Sequence, residues 1–386
     1  MNAKRLMGAA AATVLALGLA ACSGSGAGTD TTSENTNAAA PDAADVTIGV
    51  AMPTQTSERW IADGAAVESG LQDLGYKVDL QFANDDIPTQ TQQIDQMITN
   101  GADVLIVAAI DGTALSAQLQ NAADKGIKVI AYDRLIRESA NVDFYVTFDN
   151  YQVGVQQATS LLVGLGLLNQ DGSEGDATGP FNVELFAGSL DDNNAFFFWN
   201  GAIDTLQPYL DAGTLVVPSG QTDIEQAAIL RWQQETAQRR MEDLLTASYS
   251  GGLKVNGVLS PYDGLSRGII TALQNAGYPA TIAEGFPVVT GQDAEIASVK
   301  LIADDVQFAS IFKDTRKLAA QAVVAVGEFL TGGEPTANDT TTYDNGVKVV
   351  PSYLLESDIV YADNITSLLV DSGYWTADEV ASGVAG

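Results

Sequence analysis

Apolar runs alternate with amphipathic stretches along the chain from residue 46 onward. The runs at residues 46–52, 78–82, 103–110 and 127–132 are rich in apolar residues, which is typical of buried strands. The stretches between them have a helical period and a glycine near their end. The first carries Ile61, Ala65, Val67, Leu71 and Leu74. It predicts a helix that packs through this face.

The same alternation begins again after residue 180. Strands are predicted at residues 181–187, 214–217, 255–259, 287–290 and 308–312, and helices at 193–206, 236–248 and 264–277. No sequence repeat recurs at a short fixed period, which argues against a solenoid. Apolar strands separated by helices favour parallel sheets covered on both faces. The predicted fold class is α/β, with two doubly wound, Rossmann-like lobes.

The first 45 residues do not follow this pattern. Lys4 and Arg5 precede an apolar run over residues 7–21, which is typical of a secretory signal. Residues 19–22 read Leu-Ala-Ala-Cys and resemble the bacterial lipobox, whose cysteine is acylated after cleavage. We expect a signal peptide over residues 1–21, then a lipidated Cys22 and a flexible tether over residues 22–45. An ordinary signal peptide with a chance cysteine is the alternative.

Charge and composition exclude several classes of function. The formal net charge is −31, and a surface this acidic repels nucleic acid. The chain has no histidine, and Cys22 is its only cysteine. The commonest general base and the commonest zinc ligands are therefore missing. We expect no catalytic residue, no metal site and no cofactor.

Polar side chains follow most of the predicted strands at their carboxyl ends. They include Arg59, Asp133, Arg134, Asp192, Asn194, Asp263, Asp293 and Lys313. In open α/β sheets, ligands bind outside these strand ends. Asp, Asn and Arg pair with neighbouring hydroxyl groups, whereas Trp60 and Trp232 offer flat apolar faces. A sugar ring requires this combination, with polar contacts around its rim and aromatic surface against its C–H faces.

Each of these residues also has a purely structural interpretation. Asp and Asn at a strand-to-helix turn are commonly helix N-caps, and Asp192 or Asn193 is a candidate cap. The aromatic residues 196–199 fit a core better than a ligand wall. Asp133 and Arg134 also fit a surface ion pair, which contributes little. Polar groups at nearly every strand end of both lobes exceed what capping requires, and this favours a binding site.

Seven motifs point to a family. They are residues 131–137 (AYDRLIR), 147–150 (TFDN), 191–198 (DDNNAFFF), 260–264 (SPYDG), 291–295 (GQDAE), 311–316 (IFKDTR) and 346–354 (GVKVVPSYL). With them, the chain from about residue 46 to its C-terminus resembles the pentose- and hexose-binding branch of the periplasmic binding proteins. The resemblance implies a type I, Venus-flytrap fold with three hinge crossings. The first lobe would comprise residues 46–150 and 314–346, and the second residues 151–313 and 347–386.

The resemblance also implies a function. One monosaccharide of the xylose, glucose, galactose or arabinose type would bind between the lobes. A monomer, lipid-anchored on the outer face of the membrane or periplasmic, would deliver it to an ABC permease. The ligand-binding residues carried over from the family are Arg59, Trp60, Asp133, Arg134, Asp192, Asn194, Trp232, Tyr262, Asp263, Asp293 and Lys313.

Other functions stay open at this point. One is binding of a nucleoside or a furanosyl signal, and another is presentation of a sugar to a chemoreceptor or histidine kinase. A repressor effector domain would need a basic helix-turn-helix where the signal segment stands. Paired carboxylates can also hydrolyse glycosides. Here they are interleaved with Arg, Lys and Asn, which hold them ionised and suit binding better than acid catalysis.

Overall fold

The computed structural model describes residues 42–386. The expected signal peptide, Cys22 and nearly all of the expected tether lie outside these residues. Within residues 42–386, no helix is both long enough and apolar enough to cross a bilayer.

The chain forms two α/β lobes. The first lobe begins with β1 (Thr47–Met52), α1 (Glu58–Asp73), β2 (Lys77–Phe82), α2 (Ile87–Thr99), β3 (Val104–Val107), α3 (Ser116–Asp124), β4 (Lys128–Tyr132) and β5 (Phe144–Phe148). The second follows with α4 (Asn150–Gly164), β6 (Phe181–Leu185), α5 (Asn194–Asp211), β7 (Leu215–Val216), α6 (Ile224–Ala227), α7 (Gln234–Ser248), β8 (Gly257–Leu259), α8 (Asp263–Asn275), β9 (Val288–Val289), α9 (Ile296–Ala303) and β10 (Ser310–Phe312). The chain ends with α10 (Thr315–Leu330), β11 (Ser352–Leu355), β12 (Asp358–Val360) and α11 (Ala377–Ser382).

The first lobe is built on a six-stranded parallel sheet in the order β11-β5-β4-β3-β1-β2. Alternate residues of each strand face opposite sides. Ile48 and Val50 belong to the core under α1 and α10, whereas Ala51 belongs to the core under α2 and α3. The apolar strand runs are thus explained by a sheet covered on both faces, as predicted.

The second lobe has a four-stranded parallel sheet in the order β7-β6-β8-β9. Strands β10 and β12 form an antiparallel pair, and a single bridge between Gln292 and Ile311 connects this pair to the segment after β9. All nine predicted strand positions contain a strand in the structure, although several strands are shorter than predicted.

The predicted third crossing between the lobes, at residues 346/347, is wrong. Strand β11 pairs in parallel with β5 of the first lobe, with Ser352 opposite Tyr145. The next strand, β12, pairs with β10 of the second lobe. The chain therefore crosses between Leu355 and Asp358, because residues 352–355 complete the edge of the first sheet before the chain leaves it.

The predicted apolar face of α1 is only partly right. Val67 and Leu71 are buried, but Ile61 is 46% exposed and Leu74 is 50% exposed. The helix instead buries Arg59 and Asp63 near its start. Buried charged groups need partners. Those of Arg59 include Asp133 and Asp293 at the cleft between the lobes, whereas Asp63 is paired with Arg59 and Tyr132.

Candidate functional site

A cavity of about 450 Å³ lies at the carboxyl ends of the strands, between the two lobes. This volume is within the usual range for small-molecule sites. Ten of the eleven predicted ligand-binding residues line the cavity; they are Arg59, Trp60, Asp133, Arg134, Asp192, Asn194, Trp232, Tyr262, Asp293 and Lys313. The eleventh, Asp263, does not.

A cluster of buried charges joins the two lobes at the cavity. The Arg59 guanidinium lies 3.2 Å from Asp133 Oδ1 of the first lobe and 3.5 Å from Asp293 Oδ1 of the second. Lys313 Nζ, at the end of β10, lies 3.1 Å from Asp293 and 3.9 Å from Asp133. Burial alone would raise the pKa of Asp133, but Arg59, Lys313 and Arg134 outweigh it and hold that pKa below its ordinary value. Asp133 therefore remains an ionised hydrogen-bond acceptor.

Arg59 is fixed from behind by two residues that the sequence analysis did not single out. Asp63 Oδ2 accepts hydrogen bonds from Arg59 Nε at 3.0 Å and Nη2 at 2.8 Å. The hydroxyl of Tyr132 donates to Asp63 Oδ1 at 2.5 Å. Burial raises the pKa of Asp63 to about 6, against the opposing effects of Arg59 and Tyr132. The guanidinium is thus oriented before any ligand binds.

A second cross-lobe pair involves Arg134 and Asp192. Arg134 Nε lies 3.2 Å from Asp192 Oδ2. Asp192 Oδ1 accepts a hydrogen bond from the Asn194 backbone N–H at the start of α5, whereas Asn193 forms no side-chain cap bond. Burial raises the pKa of Asp192, and Arg134 and the Asn194 N–H oppose this. Asp192 thus bonds an N–H at the start of α5 and also lines the cavity, although the cap position itself is held by Asn193.

The amide of Asn194 connects the lobes directly. Its Nδ2 donates to the backbone carbonyl of Asp133 at 2.8 Å. Its Oδ1 accepts from the Tyr145 hydroxyl at 2.9 Å and from Asn150 Nδ2 at 3.1 Å. Asn194 is 1% exposed, so it holds the floor of the cleft as well as lining it.

Aromatic rings form two walls of the cavity. The guanidinium carbons of Arg59 and Arg134 lie 4.5 Å and 5.0 Å from the Trp60 ring centroid, a cation–π arrangement. On the opposite lobe, Trp232 meets Phe198 and Tyr262 edge-on, with centroids 6.4 Å and 6.2 Å apart. Phe198 belongs to the core, as the aromatic run predicted, and it also lines the cavity.

The position of Trp232 depends on backbone features on either side. Arg231 and Trp232 both have left-handed backbone angles, with φ of 57° and 55°. Non-glycine residues adopt this region at a cost of about 1–3 kcal/mol each, mostly at functional sites. Asp133 and Asp293 share it, with φ of 58° and 89°. The Trp232 ring also lies against Gly188, where a β-carbon would overlap it.

We expect the Gly188→Ala substitution to weaken ligand binding by about tenfold, because the new methyl group displaces the Trp232 ring. Calorimetry on the folded variant measures the change. Gly327→Ala is the matched control, since no described atom lies within 4 Å of a β-carbon at that position in α10. Equal affinity of Gly188→Ala and the unmodified protein would show that the ring does not contact ligand.

The structure places Asp263 behind the cavity wall, which corrects its predicted contact with ligand. Its carboxylate accepts hydrogen bonds from Ser310 Oγ at 2.9 Å, Gln307 Nε2 at 2.8 Å and the Glu295 N–H at 2.9 Å. Gly291 makes room for it, since a β-carbon there would meet Asp263 Oδ1. Asp263 therefore joins β10 and the start of α9 to α8, while its neighbour Tyr262 faces the cleft.

This network predicts a pH dependence of stability. Burial raises the pKa of Asp263 from 3.8 to about 8. Between these two pH values the folded protein retains a proton that the unfolded chain releases, so the free energy of unfolding falls as pH rises, by up to about 1.4 kcal/mol per pH unit. Urea unfolding at pH 5 to 8 should show a flatter dependence for Asp263→Asn than for the unmodified protein. The same dependence of unfolding free energy on pH in both proteins would contradict a raised pKa for Asp263.

Sequence reasoning missed several cavity residues, including Thr54, Asp85, Arg231, Arg239, Arg267 and Gln292. Asp85 and Gln292 closely follow predicted strands. The expectation that ligands bind at the carboxyl ends of strands would therefore have identified them. Arg239 and Arg267 lie within helices α7 and α8 and carry no comparable signal. Among residues 42–386, no cluster of three or more His, Cys, Asp or Glu side chains is suited to a metal.

Four of the nine buried side-chain polar atoms that lack a hydrogen bond among residues 42–386 belong to residues that line the cavity. Asp293 Oδ1, Arg134 Nε, Arg231 Nη1 and Trp232 Nε1 have no hydrogen-bond partner among the described residues. The first two lie at ion-pair distance from a neighbour but lack hydrogen-bond geometry. Leaving a buried polar group unpaired costs about 1–3 kcal/mol. The arrangement is thus suited to a ligand that has both donors and acceptors.

Comparison with known proteins agrees with this geometry. Residues 48–335 match the model of the periplasmic binding protein domain family. The chain is 54% identical to the multiple sugar-binding periplasmic receptor ChvE of Rhizobium radiobacter, covering 86% of this chain and 92% of the receptor. It is 36% identical to the D-xylose-binding periplasmic protein of Escherichia coli, covering 89% and 95%.

A solved structure is similar as well. It is that of an ABC transporter solute-binding protein from Clostridium phytofermentans with bound β-D-glucose. It superposes with a TM-score of 0.80 at 47% identity, covering 86% of this chain and 99% of the other. The fold is the type I arrangement of two α/β lobes with parallel sheets. This chain belongs to the periplasmic binding protein family.

Proposed function

We propose that this protein binds one monosaccharide between its two lobes and delivers it to an ABC permease. The observation that carries the proposal is the cleft itself, where charged side chains from both lobes meet between aromatic walls. The names of the relatives support it, since they describe receptors for multiple sugars and for D-xylose and a protein with bound glucose.

The chemistry of the cleft suits a neutral ring of hydroxyl groups. A hydroxyl donates and accepts, so it can bridge Asp133 or Asp293 on one side and Arg59, Arg134 or Lys313 on the other. The aromatic rings of Trp60, Trp232 and Phe198 offer apolar surface to C–H groups. Because the polar contacts come from both lobes, a ligand stabilises the closed arrangement over an open one.

The same charges support binding rather than hydrolysis. An acid catalyst for glycoside cleavage must hold a proton near neutral pH. Asp133 has a lowered pKa, and Asp293 lies 3.1 Å from Lys313. These carboxylates suit hydrogen bonding to hydroxyls, and the proposal therefore includes no catalytic step.

The proposal extends to the parts of the chain that flank the fold. A lipid on Cys22 would anchor the protein outside the cell membrane, and residues 23–45 would act as its tether. The protein would act as a monomer. Its lobes would comprise residues 46–150 with 314–356, and 151–313 with 357–386, which moves the last boundary to the crossing after β11.

Thermal unfolding against a panel of ligands tests the binding proposal. At about 100 times its dissociation constant, a ligand adds about 2.7 kcal/mol of stability, a shift of a few degrees for a chain of this size. We expect glucose, galactose, xylose or arabinose to raise the melting temperature, and disaccharides and nucleosides to leave it unchanged. A rise with a nucleoside alone would refute the sugar proposal while leaving the family intact.

A further inference from the structure

The two lobes contact each other beside the cavity through two consecutive residues on each side. Ser57 Oγ, at the start of α1 in the first lobe, donates to Glu295 Oε1 of the second lobe at 2.8 Å. Glu58 Oε2, one residue on, accepts from the Ile296 N–H at 3.2 Å. Because α9 begins at Ile296, a carboxylate from one lobe caps a helix of the other.

The carboxylate of Glu295 also supports the ligand wall. Its Oε1 accepts a second hydrogen bond from the Tyr262 hydroxyl at 2.8 Å. Its Oε2 accepts from Arg267 Nη2 at 2.7 Å. Tyr262 and Arg267 line the cavity, as does Ser57 of the other lobe, whereas Glu58 and Glu295 do not. One oxygen, Oε1, is thus shared between a residue that faces the ligand and a residue of the opposite lobe.

The charges around this contact are consistent with a Glu58–Ile296 hydrogen bond that forms only when the lobes close. Burial raises the pKa of Glu58, and the Ile296 N–H opposes this while Glu295 adds to it. The cost of bringing Glu58 towards Glu295 is offset by the amide and by the positive end of the helix dipole. Arg267 neutralises Glu295, at 2.7 Å. Cross-lobe contacts on another part of the interface differ, since Gly112 N–H and Arg137 donate to backbone carbonyls there.

We propose that Ser57, Glu58 and Glu295 form a latch that couples occupation of the cleft to closure of the lobes. A ligand that orders Tyr262 fixes its hydroxyl on Glu295, which orients the carboxylate to receive Ser57. Glu295 acts as a positioning residue and does not touch ligand. The coupling to ligand rests on the proposed function, whereas the contribution of the latch to closure does not.

The test uses the variants Ser57→Ala, Glu58→Ala and Tyr262→Phe, with Glu68→Gln as control. Glu68 lies on the same helix and accepts a hydrogen bond only from Gln72 among the described side chains. Small-angle scattering without ligand measures closure. Stopped-flow tryptophan fluorescence, with Trp60 and Trp232 in the cavity as probes, measures ligand association and dissociation.

We expect Ser57→Ala and Glu58→Ala each to increase the radius of gyration of the ligand-free protein and to raise the sugar dissociation rate by about three- to tenfold. Glu68→Gln should change neither. Ser57→Ala and Tyr262→Phe should be non-additive, since both remove a donor to the same oxygen. Unchanged scattering in both alanine variants overturns the latch, and so do additive rates in that pair. If the unmodified protein binds no sugar, the proposed function fails while scattering still decides the closure contribution.

Discussion

Replacing Asp133 by alanine should raise the dissociation constant for the sugar by at least about thirtyfold. Asp133 is 3% exposed and lines the cavity. It lies 3.2 Å from Arg59 and 3.9 Å from Lys313. A hydrogen bond to a charged group contributes about 1.5–3 kcal/mol, and 1.4 kcal/mol corresponds to a factor of ten, so losing one or two such bonds from Asp133 to the sugar gives an effect of this size. Titration calorimetry with the sugar that gives the largest thermal shift measures the change.

Asp143→Ala is the matched control for this substitution. Asp143 pairs with Lys128 at 2.8 Å, but at the start of β4 rather than at its end. The Asp143→Ala variant should lose little stability, because the ion pair is partly exposed. Its affinity for the sugar should be unchanged. Equal losses of affinity in the two variants would mean that Asp133 affects binding through the stability of the fold rather than through contact with the sugar. A change of less than threefold in Asp133→Ala would remove it from the ligand site.

The second large effect is expected for Trp232→Ala. The Trp232 ring lies against Gly188 and contacts Phe198 and Tyr262 edge-on. Buried aromatic anchors typically contribute 2 kcal/mol or more to binding, so we expect about a thirtyfold loss or greater. Trp232→Phe should recover part of the affinity, because it keeps an apolar face. Calorimetry of both variants against the unmodified protein measures the series.

The Trp199→Ala variant is the control for Trp232→Ala, because it removes a tryptophan that packs in the second lobe without lining the cavity. Trp199 packs against the core of the second lobe and does not line the cavity. Because Trp199 is only partly buried, its truncation should lower the free energy of unfolding by less than the roughly 3–5 kcal/mol typical of a fully buried aromatic residue, with the affinity of the folded protein unchanged. If Trp199→Ala and Trp232→Ala weaken binding equally, Trp232 serves the core rather than the ligand.

The location of the cleft was predictable from the sequence because parallel strands end at one edge of their sheet. Asp133 follows β4 and Lys313 follows β10, and the fold brings them to 3.9 Å. No knowledge of side-chain orientation was needed for this step. The sequence did not reveal which of the residues at the strand ends face the cavity. Tyr262 and Asp263 are neighbours, and only Tyr262 lines the cavity because Asp263 turns towards Ser310 and Gln307.

The start of α1 shows a second limit. An apolar pattern identifies which residues avoid water, but it does not identify the distant partners that allow a charge to be buried. Asp63 is fully buried because Arg59 and Tyr132 satisfy its oxygens, and Tyr132 comes from a strand 69 positions away. The pattern therefore placed Ile61 inside, where the structure exposes it.

The misplaced third crossing has a different cause. Strand β11 is four residues long, and β12 follows after two residues. Strands this short carry no periodic signal that separates one sheet from another. Only pairing assigns residues 352–355 to the first lobe and 358–360 to the second.

The most direct test of the account is a crystal structure of the protein grown with D-glucose. We expect one sugar between the lobes, with hydroxyls bonded to Asp133 and Asp293 and a C–H face against Trp232. Cross-lobe pairs such as Arg134 with Asp192 should persist. A sugar bound outside the cleft, or a cleft that holds a ligand of another class from the same solution, would contradict it.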